Sequence, residues 1–365
     1  MKLLFLGCLT QNKAGNSFGG AEKSLINLSN WCAHSGFDVT LASVEGDVKA
    51  YPVDKDVRFL GYPIKPNSSK MSTHLQMRRN TLDAIKKVNP DVVIGFWVHP
   101  LYYGGFLLKQ KNIPYIYSLR NDPSREYSRI TKFFMKKVVK KSSYIVFQTA
   151  EAQDYFGDLG KGKSSVIHNP TYIKPGQYEK VSEPDNRIVT VGRLNEQKNH
   201  KLLISAFHKL VCSNAKYSNI KLEIYGEGPL RGELESLSKE LKLNNKVSLP
   251  GAYPEVLDRI NGARLFVLPS LYEGMPNALI EAMCLGIPVI SSDCPCGGPR
   301  ELITDGVNGY LFKNNDLDDL VAKMRVVLDD ADQTSLIQHE QEIMDTHSEN
   351  QIFGEWKRII NRLCG

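Results

Sequence analysis

The sequence predicts an α/β protein made of two doubly wound domains, each a parallel sheet with helices on both faces. Three observations carry that expectation. The chain has 365 residues, too many for one ordinary core and suited to two domains of about 150–200 residues. Hydrophobic residues make up 42% and charged residues 24%, a globular balance that excludes a disordered or fibrous chain. Short β-branched runs alternate with helical patterns in two consecutive series, the arrangement that yields parallel sheets.

The first series opens with a strand at Lys2–Gly7. Its apolar run, Leu3 to Cys8, is shorter than the roughly 7–15 residues of a signal-peptide core, and Cys8 comes too early for a cleavage site. A helix follows over Ala21–Ser35, then strands at Phe37–Ser43 and Val57–Leu60, and a helix over Ser72–Val88 that Asn89-Pro90 stops. The next strand, Asp91–Trp97, is apolar on both faces through Val92-Val93-Ile94-Gly95-Phe96-Trp97, as a parallel strand covered on both sides requires. Strands at Pro114–Leu119, Ser143–Thr149 and Ser164–His168 complete the series, with a helix over Ser124–Lys141. Thr171–Asn186 is polar and holds Pro175, Gly176 and Pro184, so residues 171–186 read as a linker between domains 1–170 and 187–348. The second series has strands at Arg187–Gly192, Ile220–Tyr225, Lys246–Leu249, Leu265–Pro269, Pro288–Ser291 and Gly309–Phe312. In the tail, residues 349–365, Ile352, Phe353, Trp356, Ile359, Ile360 and Leu363 recur at helical spacing. That face must pack on something, and a return to the first domain is one way to cover it. In open parallel sheets ligands sit beyond the carboxyl ends of the strands, so the expected site is the cleft between the two domains.

The net charge of +6 is unevenly spread: residues 1–170 carry 24 Lys and Arg against 13 Asp and Glu, a net +11, and the remainder is −5. The first half should therefore face anionic partners more readily. No helix-turn-helix, zinc-finger or basic-aromatic RNA signature accompanies it, so no nucleic-acid partner is expected. Seven cysteines, an odd number, do not suggest a disulfide framework, and Cys294-Pro-Cys296 lacks a second pair to complete a zinc site. A reducing, cytoplasmic setting follows. No apolar stretch reaches the roughly 18–20 residues of a membrane span.

The segment richest in chemistry is Leu268-Pro269-Ser270-Leu271-Tyr272-Glu273-Gly274-Met275-Pro276-Asn277-Ala278-Leu279-Ile280-Glu281-Ala282. A buried strand ends at Pro269, a loop carries Glu273, and a helix begins near Pro276, a residue favoured at the first helical position. The helix N-terminus offers free N–H groups and a dipole to an anion, while Glu273 and Glu281 can accept hydroxyl hydrogen bonds. That combination suits a nucleotide linked to a sugar; two solvated helix-end carboxylates are the plainer alternative.

Glu273 and Glu281, with Glu-Gly-Met-Pro-Asn-Ala-Leu-Ile-Glu-Ala across and after them, resemble glycosyltransferase family 4, whose members have the GT-B fold and retain anomeric configuration. Further pieces fit in order: Phe18-Gly19-Gly20-Ala21-Glu22 resembles the family's glycine-rich loop, and Val191-Gly192-Arg193-Leu194 with Lys198-Asn199 its diphosphate motif. Ile224-Tyr225-Gly226-Glu227-Gly228-Pro229-Leu230 and Asp305-Gly306-Val307-Asn308-Gly309 also fit. The resemblance implies two Rossmann-like domains facing a cleft. It implies a UDP-sugar donor with Arg193 and Lys198 on the diphosphate, Glu281 on the ribose and Glu273 on the transferred sugar. Gly274, Met275, Asn277 and Ala278 would complete the donor loop, and Gly19 and Gly20 would let backbone approach the ligand. His99 resembles the family's histidine near the sugar's primary hydroxyl; a loop histidine capping a carbonyl is its alternative. Glu273, His99, Arg193 and Lys198 are the expected catalytic set. Arg120 and Asn121, at a strand end, are candidate acceptor contacts, unless Asp122 merely caps a helix.

Two rival motifs fail. Gly226-Glu227-Gly228 mimics a dinucleotide fingerprint, but its third glycine position is Arg231. Asp54-Lys55-Asp56 mimics a metal-binding Asp-x-Asp, but it sits in a polar loop far from the donor motifs, and no metal or other cofactor is expected. Between Arg129 and Lys141 lie six basic residues and no acid. Ile130, Phe134 and Val138 form one stripe there and Lys132, Lys136 and Lys140 another, with Lys137 and Lys141 interrupting the apolar face. This reads either as a helix lying on an anionic membrane or as a covering helix with a solvated basic side. The whole suggests a retaining transferase that moves a hexose or N-acetylhexosamine to a glycan, most simply one carried on a polyprenyl diphosphate at the membrane's cytoplasmic face. A sugar-nucleotide epimerase or phosphorylase of the same fold, or a non-catalytic sugar-nucleotide-binding protein, are the alternatives.

Overall fold

The computed structural model describes residues 1–9, 19–47, 51–65, 67–125, 127–179, 181, 183–330 and 340–364. Two compact units emerge: Met1–Asn169 with Asn350–Gly365, and Pro170–Glu349.

The first unit runs β1 (Lys2–Gly7), α1 (Gly20–His34), β2 (Asp38–Ser43), β3 (Val57–Gly61), α2 (Lys70–Val88), β4 (Val92–Gly95), α3 (Val98–Gln110), β5 (Tyr115–Ser118), α4 (Arg129–Lys141), β6 (Tyr144–Phe147), α5 (Ala150–Asp154) and β7 (Ser164–Val166). All seven strands pair in parallel, in the order β3-β2-β1-β4-β5-β6-β7. The doubly apolar strands sit centrally: Leu3 pairs with Val39 on one side and Val92 on the other, and Leu3 to Leu6 are fully buried. Helix α2 starts at the Ser69 cap and stops as expected, with Asn89 left-handed before Pro90. Helix α4 begins later than its sequence pattern suggests. Ser128 caps it through Thr131 N, while Ser124 belongs to a preceding turn that Asp122 closes by accepting from Ser124 N at 2.7 Å and from its hydroxyl at 2.6 Å.

The second unit runs β8 (Asp185–Val191), α6 (His200–Ser213), β9 (Lys221–Tyr225), α7 (Arg231–Glu240), β10 (Val247–Gly251), α8 (Val256–Ile260), β11 (Ala263–Leu268), α9 (Asn277–Cys284), β12 (Val289–Asp293), α10 (Gly298–Leu302), β13 (Tyr310–Lys313) and α11 (Leu317–Asp329), with a helix at Glu340–Thr346. Its parallel sheet has the order β10-β9-β8-β11-β12-β13. Strand order reverses at β1/β4 in the first unit and at β8/β11 in the second, the two points where a crevice opens at the carboxyl edge. At the start of the expected linker, Ile173 is buried in the second unit's core, and Thr171 N donates to His347 O at 2.7 Å. Gly226 shows why the glycine pair after β9 exists without a dinucleotide. At φ +144° its missing Cβ would lie 1.9 Å from Gly192 O, so the two loops can touch only through glycine.

The C-terminal helix, Glu349–Cys364, packs in the first unit. Phe353 meets Trp31 with ring centroids 5.7 Å apart, and Trp356 meets Phe96 at 6.1 Å. Trp356 is the largest fully buried side chain of the chain's described residues. Trp356→Ala should cost about 3–5 kcal/mol, read as lost hydrogen-exchange protection across β1 and β4 at a lower urea concentration than in the parent.

Candidate active site

The second unit's crevice is built by backbone first. The turn after β8 is fastened to the turn after β9 by Leu194 N donating to Glu227 O at 3.0 Å and Leu230 N to Leu194 O at 3.0 Å. The next turn is tied to the loop after β11: Leu271 N donates to Gln197 O at 2.8 Å, and Gln197 Nε2 to Tyr272 O at 2.9 Å. Asn314 Nδ2 holds the same loop through Leu271 O at 3.0 Å. Glu273 is clamped from behind, its N–H donating to Pro295 O at 2.7 Å and its carbonyl accepting from Cys296 N at 2.9 Å. Gly298 lets α10 press on this loop, since a Cβ there would lie 1.7 Å from Gly274 O.

Within that frame two of the expected residues, Lys198 and Glu273, meet. Lys198 Nζ lies 2.5 Å from Glu273 Oε1, and Ser270 Oγ donates to the same oxygen at 2.6 Å. Glu273 is only 6% exposed, so the lysine and the serine offset the cost of burying its charge. Arg193 is exposed, and its guanidinium has no ion-pair partner among the described residues. Gly274 and Met275 are buried in the loop, Asn277 and Ala278 form the first turn of α9, and Glu281 lies further along it, half-buried. Pro276 is the residue before the helix, and no side chain caps this end. Lys198, Ser270 and Glu273 thus meet at the end of β11, beside the N-terminus of α9; Arg193 lies in the turn after β8 and Glu281 further along α9. The Cys294 thiol nearby is pushed up to about 12 by burial and by Glu273, so it stays protonated and is no nucleophile.

Residues 177–342 match the family of glycosyl transferases group 1, and residues 18–173 match Glycosyltransferase Family 4. The chain is a GT-B glycosyltransferase of the family 4 type. An uncharacterized glycosyltransferase of Methanocaldococcus jannaschii is 31% identical over 62% of this chain and 61% of its own length, so the match spans about three fifths of that relative. The N-acetylgalactosamine-N,N'-diacetylbacillosaminyl-diphospho-undecaprenol 4-alpha-N-acetylgalactosaminyltransferase of Campylobacter jejuni is 34% identical over 46% of this chain and 45% of its own. Among solved structures, Anabaena HepE in complex with UDP and glucose superposes with a TM-score of 0.80 at 18% identity, covering 99% of this chain and all of that one.

In this glycosyltransferase's first unit, Gly19 precedes α1 and Gly20 opens it; Phe18 lies outside the described residues. His99 is in the first turn of α3, beyond β4, and not in a loop; its Nδ1 is buried without a hydrogen-bond partner, so it caps no carbonyl through that atom. Burial and then the neighbouring His74 lower its pKa. Arg120 is engaged internally: its guanidinium lies 3.8 Å over the Phe96 ring and 5.8 Å from that of Trp356, and Nη1 donates to Asn169 Oδ1 at 2.8 Å. Asn121 is half-buried beside it. On α4 the apolar stripe expected from Ile130, Phe134 and Val138 is not the buried face. Met135, Val138 and Val139 are buried, while Ile130 is 70% and Phe133 55% exposed. Lys136, Lys137, Lys140 and Lys141 are exposed, but the Lys132 ammonium is tied to Ser124 O. Among the described residues no helix is long and apolar enough to cross a membrane.

Sequence reading passes over His200, which opens α6 directly behind Lys198 and is 2% exposed. Neither ring nitrogen has a hydrogen-bond partner of good geometry; the main chain of Arg193 and Gly192 faces them. Burial, and secondarily Lys198, pulls its pKa down to about 4. The unfolded imidazole titrates near 6.5, so the unfolded state binds the proton first as pH falls. Native stability should drop by about 3 kcal/mol between roughly pH 6.5 and 4 on this account. Urea melts across that range check it: His200→Gln should flatten the slope, and an unchanged slope would remove His200 as its source.

Proposed function

We propose that this glycosyltransferase moves a hexose or N-acetylhexosamine from a UDP-sugar, with retention, to a glycan carried on a polyprenyl diphosphate at the cytoplasmic face of a membrane. The Lys198–Glu273 pair at the β8/β11 reversal, beside a start of α9 that no side chain caps, carries the reading, with Arg193 in the turn after β8 and Glu281 further along α9. In the proposed step the bond between sugar C1 and the phosphate oxygen breaks and negative charge grows on the departing diphosphate. Arg193 and Lys198 meet that charge, and so stabilise the transition state more than the ground state. The acceptor hydroxyl forms its bond to C1 from the same face, and the leaving phosphate oxygen takes its proton. Glu281 would hold the ribose hydroxyls and Glu273 the sugar's, with His99 near its primary hydroxyl. The positive charge supplied by two side chains and a helix end leaves no role for a metal in this reading.

The relative in Campylobacter jejuni acts, by its name, on a diphospho-undecaprenol-linked sugar, and HepE was solved with UDP and glucose; both support the donor and acceptor classes. Support for a membrane comes from α4, whose exposed lysines flank exposed Ile130 and Phe133, and from Phe106 on the neighbouring α3, 78% exposed.

UDP at 100 times its dissociation constant should stabilise the protein by about 2.7 kcal/mol in a thermal-shift titration. Arg193→Ala should lower kcat/KM by about 10- to 150-fold, the value of one charge-assisted hydrogen bond of about 1.5–3 kcal/mol. A UDP-sugar incubated with inorganic phosphate and without a glycan acceptor should yield neither an epimer nor a sugar 1-phosphate; either product would replace this reading by that of an epimerase or phosphorylase. No effect of Glu281→Ala on activity would remove the donor assignment. Separately, Lys136, Lys137, Lys140 and Lys141 replaced by Glu should lose about 4 kcal/mol of affinity for phosphatidylglycerol vesicles, at about 1 kcal/mol per basic residue, in a sedimentation assay. Unchanged sedimentation would end the membrane assignment.

A further inference from the structure

Little of Glu273 is free to move before its carboxylate is reached. Pro295 and Cys296 clamp its backbone on both sides. Ser270, three residues earlier, is pinned to the sheet: its carbonyl accepts from Ser292 Oγ of β12 at 2.5 Å, and both serines are fully buried. What remains is the torsions of the Glu273 side chain, and two donors restrain them. Lys198 Nζ and Ser270 Oγ both reach Oε1, at 2.5 Å and 2.6 Å. Oε2 takes no hydrogen bond among the described residues, and it is not sealed from solvent.

Offsetting a buried charge does not call for that asymmetry. A carboxylate has about four acceptor sites on two oxygens, and one donor on each oxygen would satisfy it more evenly. With both donors on Oε1, Oε2 goes short of partners in a side chain only 8% exposed, at a cost in free energy. The arrangement holds one oxygen ready for a donor from outside, and a sugar hydroxyl is such a donor. The two braces differ in reach. Lys198 is long and flexible and can turn any of three N–H groups to its acceptor. Ser270 is short, and Ser292 fixes its main chain, so its hydroxyl meets the carboxylate from one direction only. The serine, more than the lysine, sets where Oε2 points.

We propose that Ser270 is a positioning residue for the transfer: by holding Glu273 Oε1 it aims Oε2 at a hydroxyl of the transferred sugar. The proposal rests on the donor reading above. It goes beyond that reading in naming the oxygen that meets the sugar and the group that directs it.

Saturation-transfer NMR on the full chain tests it, with UDP-glucose, UDP-galactose and UDP-N-acetylglucosamine as probes, because uridine and sugar-ring protons are read separately. In the parent, ring protons of at least one probe should receive saturation. Ser270→Ala should cut that ring signal about fivefold or more, the scale of a lost hydrogen bond to a charged group, while uridine signals stay within about twofold of the parent. Ser270→Thr and Ser270→Val fill the same space and differ in the hydroxyl, so strain from the added methyl enters both. The threonine variant should keep a ring signal several times that of the valine variant. A ring signal in Ser270→Ala within about twofold of the parent would overturn the proposal, and so would equal ring signals in Ser270→Thr and Ser270→Val. Equal loss of ring and uridine signals in Ser270→Ala would overturn it too, since a collapsed loop weakens the whole donor. Uridine signals without ring signals in the parent would remove Glu273 from the sugar, and this proposal with it, while leaving nucleotide binding in place. Absence of uridine signals in the parent would overturn the donor reading itself.

Discussion

The contact between Lys198 and Glu273 ties the second unit's chemistry to its fold. It bridges the turn after β8 and the loop after β11, the two strands between which the sheet order reverses. A carboxylate buried to this degree survives only with a partner, because desolvation would otherwise cost several kcal/mol. The lysine in turn lies under Gly192, whose missing side chain makes room for its methylenes. One ion pair therefore fixes the depth of the loop, the start of α9 and the position of a cation. Lys198 has three N–H donors, and Glu273 occupies one. The remainder, with the exposed Arg193, is what the crevice offers an anion.

This economy explains what the sequence revealed. Parallel strands buried on both faces must be apolar throughout, so the central strands of both sheets were legible to within a few residues. The proposed donor loop was legible because its residues are consecutive: Glu273 to Glu281 pass from strand end to helix within one short segment. The polar residues that brace it were not. Ser270 reads as an ordinary loop serine until its hydroxyl is found on Glu273, and Asn314 gives no sign that it holds Leu271. His200 stands two residues after Lys198, but nothing local distinguishes a buried imidazole from a solvated one.

Arg120 and α4 show what local pattern leaves out. An arginine at a strand end invites a ligand role. Here its partners are Phe96, Asn169 and, from the C-terminal helix, Trp356. The apolar face of that helix was plain in the sequence; its seat was not, because the covering residues lie across the length of the chain. On α4, an i, i+4, i+8 stripe is only one of several ways to draw an apolar face, and its neighbours decide which is chosen. Met135, Val138 and Val139 face inward, leaving Ile130 and Phe133 among the lysines.

Net charge is a poor guide to where an anion binds. The half with +11 spends much of its excess on α4, where four lysines face solvent. The proposed diphosphate site lies in the half with −5. What matters there is the field within a few ångströms: a helix dipole, an exposed guanidinium and a lysine held in place by a carboxylate. Charges more than about 8–10 Å away are screened by physiological salt, so a surplus of surface acids elsewhere on the unit does not cancel that arrangement. Local geometry, rather than the sign of the whole domain, decides which chemistry each crevice presents.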